Sequence, residues 1–175
     1  MQRSLGFSIC ALTLLASASA LAASVEMPLR KAGLWEIHMQ HEGSKLPDVA
    51  IQQCTSEAID REFTSEFAPA AKQNCTKNDI QKTATGYVSD SVCAGGGATI
   101  TSHAETSGDF NSAYNVKVTS HSEGGKLGTH DSTMTLTAKW VDACKADQKP
   151  GDIVMPGGLK MNLRDLQKFK AMVPK

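Results

Sequence analysis

Histidine and cysteine offer the most chemistry in this sequence, with five of each. The histidines are His38, His41, His103, His121 and His130. A catalytic constellation needs a nucleophile, a base and a group that orients the base, all within reach of one another. Neither His-Glu-x-x-His nor Gly-x-Ser-x-Gly occurs. On extended chain His38 and His41 fall on opposite faces, as do His121 and His130, so no two share a face at short spacing. Met39 and His41 do share one. A thioether and an imidazole suit copper in an exported protein, but two ligands make a weak site and Met39 reads more simply as core. Gly95-Gly96-Gly97 is not followed by Gly-Lys-Ser/Thr or by a helical pattern, which makes it a turn rather than a phosphate loop. The expectation is a non-enzymatic protein with no catalytic residue, no metal site and no cofactor.

The cysteines speak of location. Arg3, an apolar run from Leu5 to Leu15 and Ala20-Leu21-Ala22 have the form of a signal peptide cleaved near Ala22. The run is shorter than the roughly 20 residues that cross a bilayer. Residues 1–22 are therefore predicted to be removed with Cys10, leaving 23–175 as one disulfide-stapled, β-rich domain in the periplasm without a transmembrane anchor. Phe7-Ser8-Ile9 before Cys10 is a poor lipobox. Cys54, Cys75, Cys93 and Cys144 remain, and an even number in an exported chain implies disulfides. The C-x2-C spacing of a zinc site is absent.

Those cysteines must be positioned by strands. Trp35, Ile37 and Met39 alternate with Glu36, His38 and Gln40, the period-2 pattern of a strand with one buried face. After Cys54, Thr55 or Ser56 can cap a short helix carrying Ile59 and Phe63 on one face. Asn74 to Val92 reads as a hairpin turning at Thr83-Ala84-Thr85-Gly86. Folding it about Ala84 puts Ile80 opposite Val88 and Cys75 opposite Cys93, with the two pairs on opposite faces. Four cysteines allow three pairings. This register selects Cys75–Cys93 and leaves Cys54–Cys144. Ala98–Thr106 is a further strand, with Ile100 and Ala104 inward. Two more follow, matched by pairing Val116 with Leu136 and Val118 with Met134, which also sets His121 opposite Asp131 as a surface ion pair. Ile153 to Gly158 reads as a short extended piece closed by a turn. Asn162 can cap a terminal helix carrying Leu163, Leu166, Phe169 and Lys170, with Met172 and Val173 nearby. The predicted fold is mainly β: about six strands in an antiparallel meander, a curled sheet or half-barrel, with a short helix after strand one and a C-terminal helix.

Such a sheet has to cover its inner face. If it curls, Trp35, Ile37, Met39, Tyr114, Val116, Met134, Leu136 and Trp140 line an apolar concavity, with Ile100 beside them. These are the candidate ligand-binding residues, for a small lipophilic ligand. If the sheet stays open, its edge strands can instead pair with an envelope protein. Pairing between the first and sixth strands discriminates the two, and a Cys54–Cys144 bond leans towards closure. Nucleic acid is excluded as a partner by composition: 18 Lys+Arg balance 18 Asp+Glu, with no basic surplus. Apolar residues, at 41%, are too many for a disordered chain of zero net charge. Residues 142–175 are mildly basic, with 7 basic and 4 acidic side chains.

Gly33-Leu34-Trp35-Glu36, the four-cysteine layout, Trp140 shortly before Cys144, Pro150-Gly151-Asp152 and Pro156-Gly157-Gly158 together form a recognisable pattern. From about Lys31 through Met161 the chain resembles the bacterial exported family called domain of unknown function 3617. Asp142-Ala143 stands where relatives often carry Gly close before the last Cys. The resemblance implies a periplasmic, disulfide-bonded, largely β domain. It brings no established activity and no functional residues.

Overall fold

The computed structural model describes residues 25–43, 47–67, 74–126 and 128–165, with the side chains of 63–67 left out. The predicted signal segment and everything beyond Asp165, including Leu166, Phe169, Lys170, Met172 and Val173, lie outside the described residues.

Among the described residues nine strands and the helix α1 follow in the order β1 (Gly33–Glu42), β2 (Val49–Thr55), α1 (Glu57–Phe67), β3 (Asn74–Lys82), β4 (Gly86–Gly95), β5 (Ala98–Asp109), β6 (Ala113–Gly124), β7 (His130–Asp142), β8 (Asp152–Val154) and β9 (Lys160–Asn162), and residues 163–165 are again helical. They form one antiparallel sheet ordered β3-β4-β5-β6-β7-β1-β2-β8-β9. The meander predicted from Asn74 onwards is present as β3–β7. The first and last strands of the predicted six, β1 and β7, are neighbours, with Ile37 opposite Ala138 and Met39 opposite Leu136. This pairing does not close a barrel. β2 occupies the other side of β1, β8 and β9 extend the sheet beyond it, and β3 forms the far edge. The strand count is therefore nine rather than six, the sheet is open, and the helix follows β2 rather than the first strand. The three additional strands carry weak signals. β2 places Gln53 at a buried position, and β8 and β9 are three residues each.

Registers follow from alternation wherever the strands are regular. Val116–Leu136, Val118–Met134 and His121–Asp131 are paired as predicted. In the β3–β4 hairpin Cys75 does stand opposite Cys93, but Ile80 faces Ser89 rather than Val88. The cause is a β-bulge between Cys75 and Lys77. One extra residue shifts everything beyond it by one place and reverses its facing, so Ile80 lies on the same face as the cystine rather than the opposite one. Both predicted disulfides form: Cys75–Cys93, and Cys54–Cys144 across 90 residues.

Short-range chemistry sets the helix ends. Ser56 Oγ accepts from Ile59 N at 3.4 Å and caps α1. Asn162 Oδ1 accepts from Arg164 N at 3.0 Å, the cap predicted there. Gly151 N donates to Cys54 O at 2.8 Å, which fastens the β8–β9 hairpin to the end of β2, and Leu163 N donates to Gly151 O at 2.9 Å, which closes the hairpin itself. No helix among the described residues is long and apolar enough to cross a membrane.

Candidate functional site

The two faces of the sheet are sorted by charge. Opposed residues in antiparallel strands share a face, so the registers can be read as rows across the sheet. One row holds Gly108, Tyr114, Ala138, Ile37 and Ile51, and the next holds Tyr87, Thr106, Val116, Leu136, Met39 and Val49. Then come Ser89, Ala104, Val118, Met134 and His41, and after them Ser91, Ser102, Ser120 and Ser132. From β4 to β2 this inner face carries no Asp, Glu, Lys or Arg. Asp90, Glu105, Lys117, Asp131, Lys139, Glu36 and Glu42 all stand on the other side.

The eight predicted ligand-binding residues lie together on the inner face, but they divide into two groups. Trp35 and Ile37 are sealed, with Trp35 fully buried, and with Ala138 they form the core cluster. Met39, Tyr114, Leu136 and Trp140 are half-buried against that cluster. Val116 and Met134 continue the same rows, also half-buried. Ile100, expected inward, is exposed on this face. The sealed pair fills space, so only the half-buried residues are placed to meet a ligand.

What seals Trp35 is an arm that precedes the sheet. Trp35 Nε1 donates to Lys31 O at 2.8 Å, and Trp140 Nε1 to Ala32 O at 3.1 Å, satisfying both indole donors. The Lys31 ammonium stands 3.4 Å from the centre of the Trp140 ring. Gly33, first of the Gly-Leu-Trp-Glu run, has φ of 133°, and a Cβ there would come within 2.5 Å of Trp140 Nε1 and of Asp142 O. Glycine is thus required for arm, β1 and β7 to meet so closely. Tyr114 packs between Trp35, 5.6 Å away, and Phe110, stacked at 4.7 Å between centroids. Burial raises the Tyr114 phenol above its usual range, opposed by the nearby Arg30 guanidinium.

A buried ionic network beneath these rings was not visible in the sequence. Arg30 Nε donates to Asp60 Oδ1 at 2.8 Å, Arg30 N to Asp60 Oδ2 at 2.7 Å, and Arg30 Nη1 to Gln53 Oε1 at 3.1 Å. Arg30, Gln53, Thr55 and Asp60 are all buried. The network joins arm, β2 and α1. Partners 30 residues apart leave no periodic trace, so each charge reads as solvated. The only hint is an acid placed beside Ile59 at the helix start.

Two clefts lie elsewhere. One of about 750 Å³ separates the start of α1 from the β8–β9 hairpin, lined by Ser56, Ile59, Lys149, Asp152, Lys160 and Arg164 among others. Two of its cations are already paired: Lys160 with Asp147 at 2.9 Å, Arg164 with Glu62 at 3.0 Å. Burial works to raise the Asp152 carboxyl, but donors from Asn162 at 2.8 Å and Lys149 N at 2.9 Å outweigh it and hold the group below the carboxylate range. The other, about 330 Å³, lies among Pro28, Leu29, the β3–β4 turn and Phe110. Neither cleft contains any of the eight predicted residues. Among the described residues no three His, Cys, Asp or Glu side chains converge as a metal site.

The chain matches, over residues 30–144, the family model described as protein of unknown function (DUF3617), and it belongs to that family. No curated protein and no solved structure matches it.

Proposed function

We propose that this member of a family without assigned activity is a non-enzymatic binding or accessory domain, exported to the periplasm, that takes an uncharged lipophilic ligand on its inner sheet face. The observation that carries this reading is the charge-free pair of rows centred on Val116–Leu136–Met39 and Val118–Met134. These side chains are half-buried beside a sealed core. Apolar surface of this kind contributes about 25 cal/mol per Å² when a ligand covers it. A charged headgroup would find no Asp, Glu, Lys or Arg in these rows, and an unpaired ion on an apolar face is costly. Ser102 and Ser120, with hydroxyls 2.9 Å apart, offer a neutral polar boundary at the end of the rows. Two cystines and the predicted signal segment support the location.

The test is titration of the mature, disulfide-intact protein with N-phenyl-1-naphthylamine, an uncharged apolar fluorophore. Saturable binding is expected, with Met134→Glu weakening it by about tenfold or more, since the carboxylate must be desolvated beneath the ligand. Absence of saturable binding, or equal affinity in a folded Met134→Glu variant, overturns the reading. A second reading rests on the outer edge of β3, nine residues long and paired, among the described residues, only with β4. An extended segment of an envelope protein could add there as a further strand, although Lys77, Asp79 and Lys82 are charges of the kind that discourage such pairing.

A further inference from the structure

We propose that His103 and His121, with the four carboxylates around them, form one proton-binding cluster on the outer face that fastens β4 to β5 and β6 to β7 more firmly as pH falls. The geometry is specific. His103 Nδ1 lies 2.8 Å from Asp90 Oδ1 on β4, and its Nε2 lies 3.6 Å from Glu105 Oε1. His121 Nδ1 lies 2.6 Å from Asp131 Oδ1 on β7, and its Nε2 lies 3.4 Å from Glu123 Oε1. Both nitrogens of each ring thus face an oxygen that, when ionised, only accepts hydrogen bonds. A neutral imidazole carries one N–H and one lone pair. It satisfies one carboxylate and points its lone pair at the other, whereas the protonated ring donates to the aspartate and turns a charged N–H towards the glutamate at ion-pair distance. Each ring therefore completes its contacts only by taking up a proton.

The surroundings of both rings reinforce this. His103 stands opposite Asp90 on one side and Thr119 on the other, and His121 opposite Thr101 and Asp131. The two rings are diagonal neighbours across β5 and β6. Lys77 approaches Asp90 at 3.7 Å, and Lys117 stands opposite Glu105. These two ammoniums and the second imidazole are the cations that oppose protonation. Four carboxylates outnumber them around the pair, and Asp79 stands opposite Asp90 as a further acid. The direction of titration agrees: the hydrogen bond to Asp90 raises His103, the hydrogen bond to Asp131 raises His121, and Asp90 is correspondingly lowered by His103. His38 differs, since its Glu36 partner is on the same strand, so its contact joins no two strands.

The sign follows from linkage. A histidine raised on folding contributes stability that is fully present below its unfolded value, near 6.5, and that is lost as pH rises through the folded value. Urea unfolding of the disulfide-intact protein in low salt should give a higher midpoint at pH 6 than at pH 8. The double variant His103→Gln/His121→Gln should lose that rise, and His130→Gln should keep it. Added salt should shrink it, because the groups are exposed. A rise that persists in the double variant, or no rise in the parent, overturns the proposal. Should the double variant fail to fold, NMR titration of the parent imidazoles decides: both midpoints above that of free histidine sustain it, and either one at or below refutes it.

Discussion

The two ends of the sheet are stapled by the same kind of bond and built on opposite plans. Around Trp35, the arm, β1, β2, α1, β7 and the segment after Cys144 converge from distant parts of the sequence. Fully buried Cys54, the Arg30–Asp60 pair and the tryptophan donors lock them together. At the β3–β4 hairpin both strands are neighbours in sequence, most side chains of β3 are exposed, and Cys75–Cys93 closes a separation of only 18 residues. The first end gathers remote segments around one core. The second is held by its own turn, its ladder with β5 and a local staple. Stability is therefore concentrated where sequence separation is largest.

Breaking the first staple should cost most. In the chain-entropy model, a loop of 90 residues gives Cys54–Cys144 about 4.6 kcal/mol against about 3.2 for Cys75–Cys93. Cys54→Ser/Cys144→Ser should thus lower unfolding free energy by about 4–5 kcal/mol, read by urea denaturation. Asp60→Ala comes next. It strands a buried guanidinium and should cost about 3–5 kcal/mol, with the near-ultraviolet signal of Trp35 weakened in the folded protein. If Asp60→Ala is neutral, the network is ornamental and the contrast between the ends collapses. The smallest effect, about 3 kcal/mol, is expected for Cys75→Ser/Cys93→Ser. Hydrogen exchange should show that loss confined to β3 and β4. A loss spread evenly over the sheet would mean that the two ends are one cooperative unit.

How far the sequence discloses this depends on the range of the interaction. β6 and β7 are long and regular, so alternation alone recovers Val116–Leu136 and His121–Asp131. The Cys75–Cys93 pair is legible for the same reason, but Ile80 is not, because nothing in the alternation announces the bulge at Thr76. β2 is hidden because Gln53 turns inward to meet Arg30, and a buried amide looks like a broken pattern. Of the candidate site, its face was legible and its depth was not. Trp35 and Met134 both read as inward, and only the arm at Arg30–Ala32, contributing backbone carbonyls and a charge, decides that one is sealed and the other accessible.

The place of β1 between β7 and β2 has a consequence for how the chain is made. A polypeptide emerging N-terminus first delivers β1 and Cys54 early, yet β7 and Cys144 come about a hundred residues later. Meanwhile β3 to β5 can pair as they appear, each beside its sequence neighbour, and present Cys75 and Cys93 to each other first. Cys54 must wait as a free thiol beside two reactive neighbours. Accuracy of oxidation then depends on the local hairpin consuming its own cysteines before the distant partner arrives. The edge hairpin needs only 18 residues of chain to bring its two cysteines together, whereas Cys54 meets its partner only across 90.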